Sequence, residues 1–342
     1  MNLVQRLFTL SPTTWLFLLG NVASILIFAS VVSHRWADSS ASPLAPRRIA
    51  GFVVRFSLIG MATVFLSISG LVIVKTIHSI YVDTAPARSE VKIPKDLSFA
   101  VEDITFPGGD GQKMAAWFAP SQNGVTIILL HGYDGDRLSM RWHAEQLTGA
   151  GYGVLLVDER ASGQSEGKRR SLGWEDAPDV GRAIAYLASR KESATDKVGI
   201  VGCSIGGQIA LQAAARYPEI GAVWAEGASL LTSRDEPSHQ RKIGPRTALS
   251  KFRSEVFAMV LGMPVPPAII DIIGKIAPRP ILLVAAGADN EESNMEFYAR
   301  YAGDNAQVWI IPEAYHCEGS KARPAEYASR MIDFFDTALL KP

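Results

Sequence analysis

Val198-Gly199-Ile200-Val201-Gly202-Cys203-Ser204-Ile205-Gly206-Gly207 is the stretch on which the fold turns. An apolar run of strand length, Val198–Val201, meets a Gly-x-Ser-x-Gly turn, and a segment with helical spacing, Ile205–Tyr217, follows at once. A strand that turns sharply into a helix crowds the backbone and forces costly dihedrals. Gly202 and Gly206, two positions either side of Ser204, relieve that crowding and leave the hydroxyl exposed at the turn. The helix then begins beneath the serine, with unpaired N–H groups and a partial positive charge directed at developing negative charge. Gly-x-Ser-x-Gly alone is a weak signal; between a strand and a helix it marks a nucleophile. A phosphate-binding loop is the rival reading, but no Gly-Lys-Ser/Thr follows.

Outward from this turn the chain alternates short apolar runs with longer helical stretches. Thr126–Leu130, Val154–Val157, Ala222–Ala225, Ile281–Ala285 and Val308–Ile311 join Val198–Val201 as strands. Continuous apolar runs of this length suit strands buried on both faces of a parallel sheet. Arg141–Ala150, Asp176–Ser189, Ser293–Tyr301 and Pro324–Leu340 are the intervening helices. Val101–Phe106, a Pro-Gly-Gly-Asp-Gly turn and Lys113–Ala119 read as a β-hairpin ahead of them. The fold class is therefore α/β, a mostly parallel sheet with helices on both faces, over residues 101–342. Residues 228–277 break the rhythm with charges and then an apolar, Pro-broken piece, and are expected to form a small cap.

A serine needs a base to act at neutral pH. Of six histidines, only His316 follows the last strand on a loop, Ala314-Tyr315-His316-Cys317-Glu318-Gly319. His131, in His131-Gly132-Tyr133-Asp134-Gly135, reads as a structural tie for its own loop. A carboxylate must then fix the imidazole tautomer. Asp289, in Gly287-Ala288-Asp289-Asn290 after Ile281–Ala285, is the expected acid, because sites in open α/β sheets form at the carboxyl ends of strands. Glu226 is its competitor, and Asp304 and Glu313 are less well placed. The backbone N–H groups of Ile205 and Tyr133 are the expected oxyanion donors, with Gly132 allowing close approach.

With these residues in order, the chain from about Val101 onwards resembles the serine hydrolases of the α/β-hydrolase superfamily. The Gly202–Gly207 elbow, the His131–Gly135 loop and the order Ser204, Asp289, His316 carry the resemblance. Asp158-Glu159-Arg160-Ala161-Ser162-Gly163-Gln164-Ser165 also looks like the family's D-x-R-G-x-G-x-S loop, with Ala161 and Ser162 where Gly and His are frequent. Ala277-Pro278-Arg279-Pro280 looks like its entry to the acid-bearing strand. The resemblance implies an α/β-hydrolase fold and cleavage of a carboxylic ester through an acyl-enzyme on Ser204, without metal or organic cofactor. A peptidase of the same fold and a non-catalytic membrane interaction protein on this scaffold are the alternatives. Cys203 and Cys317 each adjoin a triad member; they read as ordinary thiols, with pairing the alternative if the domain lies outside the cytosol.

The first 80 residues have a different character. Thr13–Ser33 and Phe56–Val74 are free of formal charge, and each is long enough as a helix to cross a bilayer core. The sequence thus predicts a membrane anchor over 1–81 with two spans, about 13–33 and 56–74. A linker with Pro86 and Pro94 follows over 82–100. Arg35, Arg47, Arg48 and Arg55 lie between the spans, a slight lean towards a cytoplasmic hairpin and an extracytoplasmic C-terminal domain. Lys plus Arg equals Asp plus Glu, 34 of each, so no net charge draws nucleic acid. The expected partners are the bilayer and a small-molecule or lipid ester.

Overall fold

The computed structural model describes residue 30 and residues 45–190, 198–237 and 245–341. The first expected span, 13–33, lies outside the described residues apart from Ser30. The chain divides into two compact units, residues 1–80 and 81–342.

In the first unit the second apolar run belongs to a long helix, α1, Ala45–Asp83. Its stretch Val54–Asp83 is the one helix among the described residues long and apolar enough to cross a membrane; its most apolar 18 residues have a mean hydropathy of 2.2, and none of them is buried. Leu58, Phe65 and Leu66 are each more than half exposed.

The second unit is an α/β layer structure. Its strands are β1 Ala87–Arg88, β2 Glu102–Pro107, β3 Lys113–Ala119, β4 Thr126–Leu130, β5 Gly153–Val157, β6 Ser162–Gly163, β7 Val198–Cys203, β8 Ile220–Glu226, β9 Ile281–Ala286 and β10 Ala306–Ile311. Eight of them form one sheet in the order β10-β9-β8-β7-β4-β5-β3-β2. The hairpin strands β2 and β3 are antiparallel to each other, and β3 runs antiparallel to β5. From β5 to β10 every neighbour is parallel. β4, β5 and β9 are buried at every position, which is why they read as unbroken apolar runs rather than as alternation.

Helices cover both faces. They are α2 Arg141–Gly149, α3 Ala177–Ser189, α4 Ile205–Arg216, α5 Pro245–Leu261, α6 Ile269–Ile272, α7 Glu292–Ala302, α8 Gly319–Ala322 and α9 Pro324–Phe335. One core packs Ile128, Ile200, Ile209, Val223 and Leu283 with α3 and α4; the other packs Leu129, Val201, Trp224, Val284 and Phe335 with α2 and α9. The alternation of side chains along each strand feeds the two cores from one sheet.

Two segments differ from expectation. Residues 82–100 are docked rather than free: β1 pairs in parallel with β6, Val91 is buried, and the compact unit begins at Tyr81. The excursion between β8 and β9 is also shorter than 228–277. Ala268, Ile269, Ile273 and Ile276 pack into the core beside Ile209 and Tyr298, so they belong to the body. Beyond the sheet stands α5, whose Phe257 lies against Trp174 with ring centres 4.6 Å apart.

Candidate active site

The nucleophile turn takes the form its glycines require. Ser204 has φ 56° and ψ −116°, a conformation non-glycine residues rarely adopt and which costs of order 1–3 kcal/mol. A Cβ on Gly202 would meet the carbonyl oxygen of Gly206 at 2.2 Å, and one on Gly206 would meet those of His131 and Leu130 at 2.5 Å. Only glycine fits at either place. Ser204 N–H donates to the Glu226 carbonyl at 2.8 Å, and the Ser204 carbonyl accepts from Ser229 N–H at 3.1 Å. The strained residue is thus held by its neighbours on β8 and the loop after it.

His316 comes from the loop after β10 and places Nε2 2.8 Å from Ser204 Oγ. Its other nitrogen, Nδ1, hydrogen-bonds Glu291 Oε1. With Nδ1 carrying the proton towards Glu291, Nε2 is left as the acceptor of the serine hydroxyl proton. Glu291 is held in turn, since its Oε2 accepts from Ala286 N–H at 3.0 Å. The hydrogen bond to Glu291 raises the His316 pKa above the usual value, against the lowering effect of partial burial.

Asp289, the carboxylate expected from the sequence, makes a different contact. Its Oδ2 accepts from the backbone N–H of His316 at 2.6 Å. The reason is local geometry. Gly287–Asp289 is a single 3₁₀ turn closed by Asn290 in the left-handed region, and Glu291 N–H returns to the Ala286 carbonyl at 3.2 Å. That return carries Glu291 back over the end of β9, to the imidazole, while Asp289 stays on the rim and steadies the histidine backbone. Glu226, the other contender, is buried and receives Gly319 N–H and Tyr327 Oη, each at 2.8 Å. Tyr327 Oη itself accepts from Trp224 Nε1 at 2.7 Å. Glu226 therefore anchors the far end of the histidine loop, and its burial pushes its pKa up.

Of the expected oxyanion donors, Ile205 opens α4, so its N–H lies ahead of the intrahelical ladder. Gly132 brings the other loop close: a Cβ there would approach Ser204 Cβ to 3.3 Å. His131 is buried, contacts the Gly132 carbonyl through Nδ1 at 2.8 Å and accepts Glu159 N–H at Nε2 at 3.1 Å. Both of its nitrogens are thus taken up, one by its own loop and the other by the segment after β5. Burial lowers its pKa. Tyr133 is braced from outside by Arg170, whose guanidinium lies 4.3 Å from the ring centre and donates to Oη at 3.1 Å. The same arginine donates to the Ala85 carbonyl and pairs with Asp134.

Two further features escaped the sequence reading, and a third, the pairing of the two cysteines, stood there only as the alternative. Gly227, at φ +55°, lies against the His316 imidazole and Glu291. Cys203 and Cys317 are joined as a disulfide, with Cα atoms 5.9 Å apart, rather than left as thiols. Beside them opens a cavity of about 710 Å³, lined by Tyr133, Trp142, His143, both cysteines and Lys321 among others. Doubled acids after β9 and cysteines flanking both Ser204 and His316 were the available signals. Gly227 carried none beyond its place after a strand.

Comparison with known proteins gives a consistent picture. The model of the S15 family, X-Pro dipeptidyl-peptidase, matches residues 113–241, and that of the C-terminal region of BAAT and acyl-CoA thioester hydrolases matches residues 181–305. The quorum-quenching protein AidA of Acinetobacter baumannii is 32% identical over 126 residues, which cover 35% of this chain and 41% of that one. Epoxide hydrolase B of Mycobacterium tuberculosis is 30% identical over 100 residues, 29% of this chain and 27% of that one. The matched region thus spans less than half of these curated relatives. Among solved structures, an esterase of Pyrococcus furiosus superposes with a TM-score of 0.60 at 25% identity, covering 75% of this chain and 98% of its own. A dienelactone hydrolase of Anabaena variabilis does so with 0.53 at 20% identity, covering 70% and 98%. With its sheet order, its elbow and these neighbours together, the second unit has the α/β-hydrolase fold of the superfamily that the sequence resembles.

Proposed function

We propose that this protein is a membrane-anchored serine hydrolase that cleaves carboxylic esters through an acyl-enzyme. One observation carries the reading: Ser204 Oγ, His316 and Glu291 form a continuous hydrogen-bonded line from nucleophile to carboxylate. His316 Nε2 takes the proton of Ser204 as its oxygen attacks the carbonyl carbon, and Glu291 stabilises the imidazolium that forms. The N–H groups of Tyr133 and Ile205 receive the oxyanion. His316 then gives the proton to the leaving alcohol, and water repeats the cycle on the acyl-Ser204 ester to release the acid.

The α1 helix supports the anchor, and an apolar anchor favours ester substrates with acyl chains. The disulfide favours an extracytoplasmic catalytic domain, since such bonds persist in oxidising compartments. This agrees with the lean of the arginines between the two apolar runs. A serine peptidase is the second reading, favoured by the S15 match. It needs a group near the site to bind the substrate's terminal amine. Asp235 in the excursion is buried and engaged by Thr232 and Ile270, which leaves it unsuited to that task.

The test is turnover of p-nitrophenyl esters of increasing chain length by the full chain in detergent, alongside X-Pro p-nitroanilides. Ester turnover that Ser204→Ala abolishes is the expected result. Turnover of the anilides alone would move the assignment to the peptidase.

A further inference from the structure

We infer that the Cys203–Cys317 disulfide is a positioning element for acyl transfer, holding His316 in register with Ser204, and that reducing it suppresses catalysis. This rests on the Ser204–His316 reading above. Each cysteine is the immediate chain neighbour of one member of the pair. Ser204 and His316 otherwise arrive from positions 112 residues apart. Cys203 is fixed on the sheet as the last residue of β7, in register with Glu226 of β8.

The histidine loop is less secure. Tyr315 is 60% exposed, and Cys317 takes φ +58°, a conformation the surroundings must impose. The side-chain anchors of the loop backbone are Asp289 at His316 and Glu226 at Gly319. Those carboxylates stand at the ends of β9 and β8, neighbours of the nucleophile strand rather than part of it. Between the loop and the segment formed by β7 and Ser204, the described covalent and hydrogen-bonded links are the disulfide and the Ser204–His316 hydrogen bond itself. A single exchangeable hydrogen bond does not fix its own geometry, whereas a covalent bridge one residue away on both sides does. Proton transfer tolerates little drift, and a misplacement of about 1 Å costs on the order of 100-fold in rate.

Both cysteines are partly exposed and line the open cavity of about 710 Å³, so a small dithiol reaches them. A reagent thiolate attacks one sulfur, the other leaves as thiolate, and the second reagent thiol displaces the mixed disulfide. Two electrons and two protons pass to the protein, giving two cysteine thiols, and the dithiol becomes a cyclic disulfide. The sequence has no other cysteine, so the effect of a dithiol traces to this bond.

The experiment compares the oxidised full chain in detergent, the same protein treated with dithiothreitol, and a Cys203→Ala/Cys317→Ala double variant. Near-ultraviolet circular dichroism monitors the fold, and kcat, KM and the rate of fluorophosphonate labelling are the readouts. The expected result is a fall of about tenfold or more in kcat and labelling rate. KM should stay within about twofold, the fold should be kept, and reoxidation should restore activity. The double variant should be slow and indifferent to dithiol. Undiminished kcat in the reduced protein or the double variant overturns the inference. So does a loss that merely follows unfolding, which would make the bridge a staple of the fold. Failure of the oxidised wild type to label would instead overturn the underlying Ser204–His316 reading.

Discussion

Gly227 lies against His316: a Cβ at position 227 would come to 2.9 Å from the imidazole Nδ1 and 3.1 Å from Glu291 Oε2. The first residue beyond β8 is therefore the floor on which His316 and Glu291 meet. Gly227→Ala adds one carbon at that spot and forces it into φ +55°, a strain of about 1 kcal/mol or more. The protein should still fold, with Tm lowered by a few degrees on the order expected for that cost, and kcat should fall about 10- to 100-fold. Thermal melts beside steady-state ester kinetics check both halves, and near-wild-type kcat would show that the pair does not depend on this floor.

Asp289 and Glu291, both beyond β9, make separable contacts with His316. Glu291→Gln removes the charge facing Nδ1, and loss of a triad carboxylate costs up to about 10⁴-fold in kcat in a well-studied protease. Asp289→Asn loses only part of a hold on the His316 backbone and should cost less than about tenfold. The pH dependence discriminates further. Glu291 raises the His316 pKa, so in the wild type the neutral, active imidazole appears only as pH rises past a midpoint above the usual histidine value. Removing Glu291 lowers that midpoint, and the acidic limb of kcat/KM should move to lower pH. A limb that moves with Asp289→Asn instead would return the acid role to Asp289.

Why Asp289 stood out in the sequence and Glu291 did not is a matter of one turn. Both follow the same strand within two residues of each other, and spacing alone cannot say which one a 3₁₀ turn and a left-handed Asn290 will fold back. The hairpin, the buried strands and the elbow were legible because each writes a local pattern: an alternation switch, an apolar run, or glycines where backbones collide. The placement of His316 beside Ser204 was legible from its order after the last strand. Gly227 and the pairing of Cys203 with Cys317 depend on contacts between distant segments, which leave no period in the sequence. The docking of β1 on β6 was hidden in the same way, behind prolines and mixed charges that read as a linker.

Tyr327 should matter to stability through Glu226. Its hydroxyl accepts from Trp224 and donates to the buried carboxylate, so Tyr327→Phe leaves an indole N–H unpaired and the carboxylate short of a donor. A cost of about 1–3 kcal/mol is expected. Burial raises the Glu226 pKa, so this group favours the folded state most at low pH and loses that contribution as pH rises through its folded pKa. The missing donor worsens the ionised form specifically, and the variant's deficit should widen over that same rise. Urea unfolding at several pH values from the ordinary glutamate range upward measures it; a deficit that shrinks with pH would contradict the assignment.

Arg170 is the outer brace of the loop that carries Tyr133, whose N–H is the proposed second oxyanion donor. Arg170→Met keeps much of the stem's packing and removes the contacts to Tyr133, Asp134 and Ala85. With one oxyanion donor loosened, kcat should drop by about tenfold or more, up to the roughly 10²–10³-fold of a donor lost outright. KM should change little. A rise in KM at constant kcat would assign Arg170 to substrate binding instead.

The most direct test of the central claim is covalent. The full chain and its Ser204→Ala variant are treated with a fluorophosphonate and measured by intact mass, and the modified peptide is then sequenced. A single adduct on Ser204, absent from the variant and formed more slowly in Glu291→Gln than in wild type, is the predicted result. A folded protein that takes no adduct, or takes it at another residue, would contradict the claim that Ser204 is an activated nucleophile.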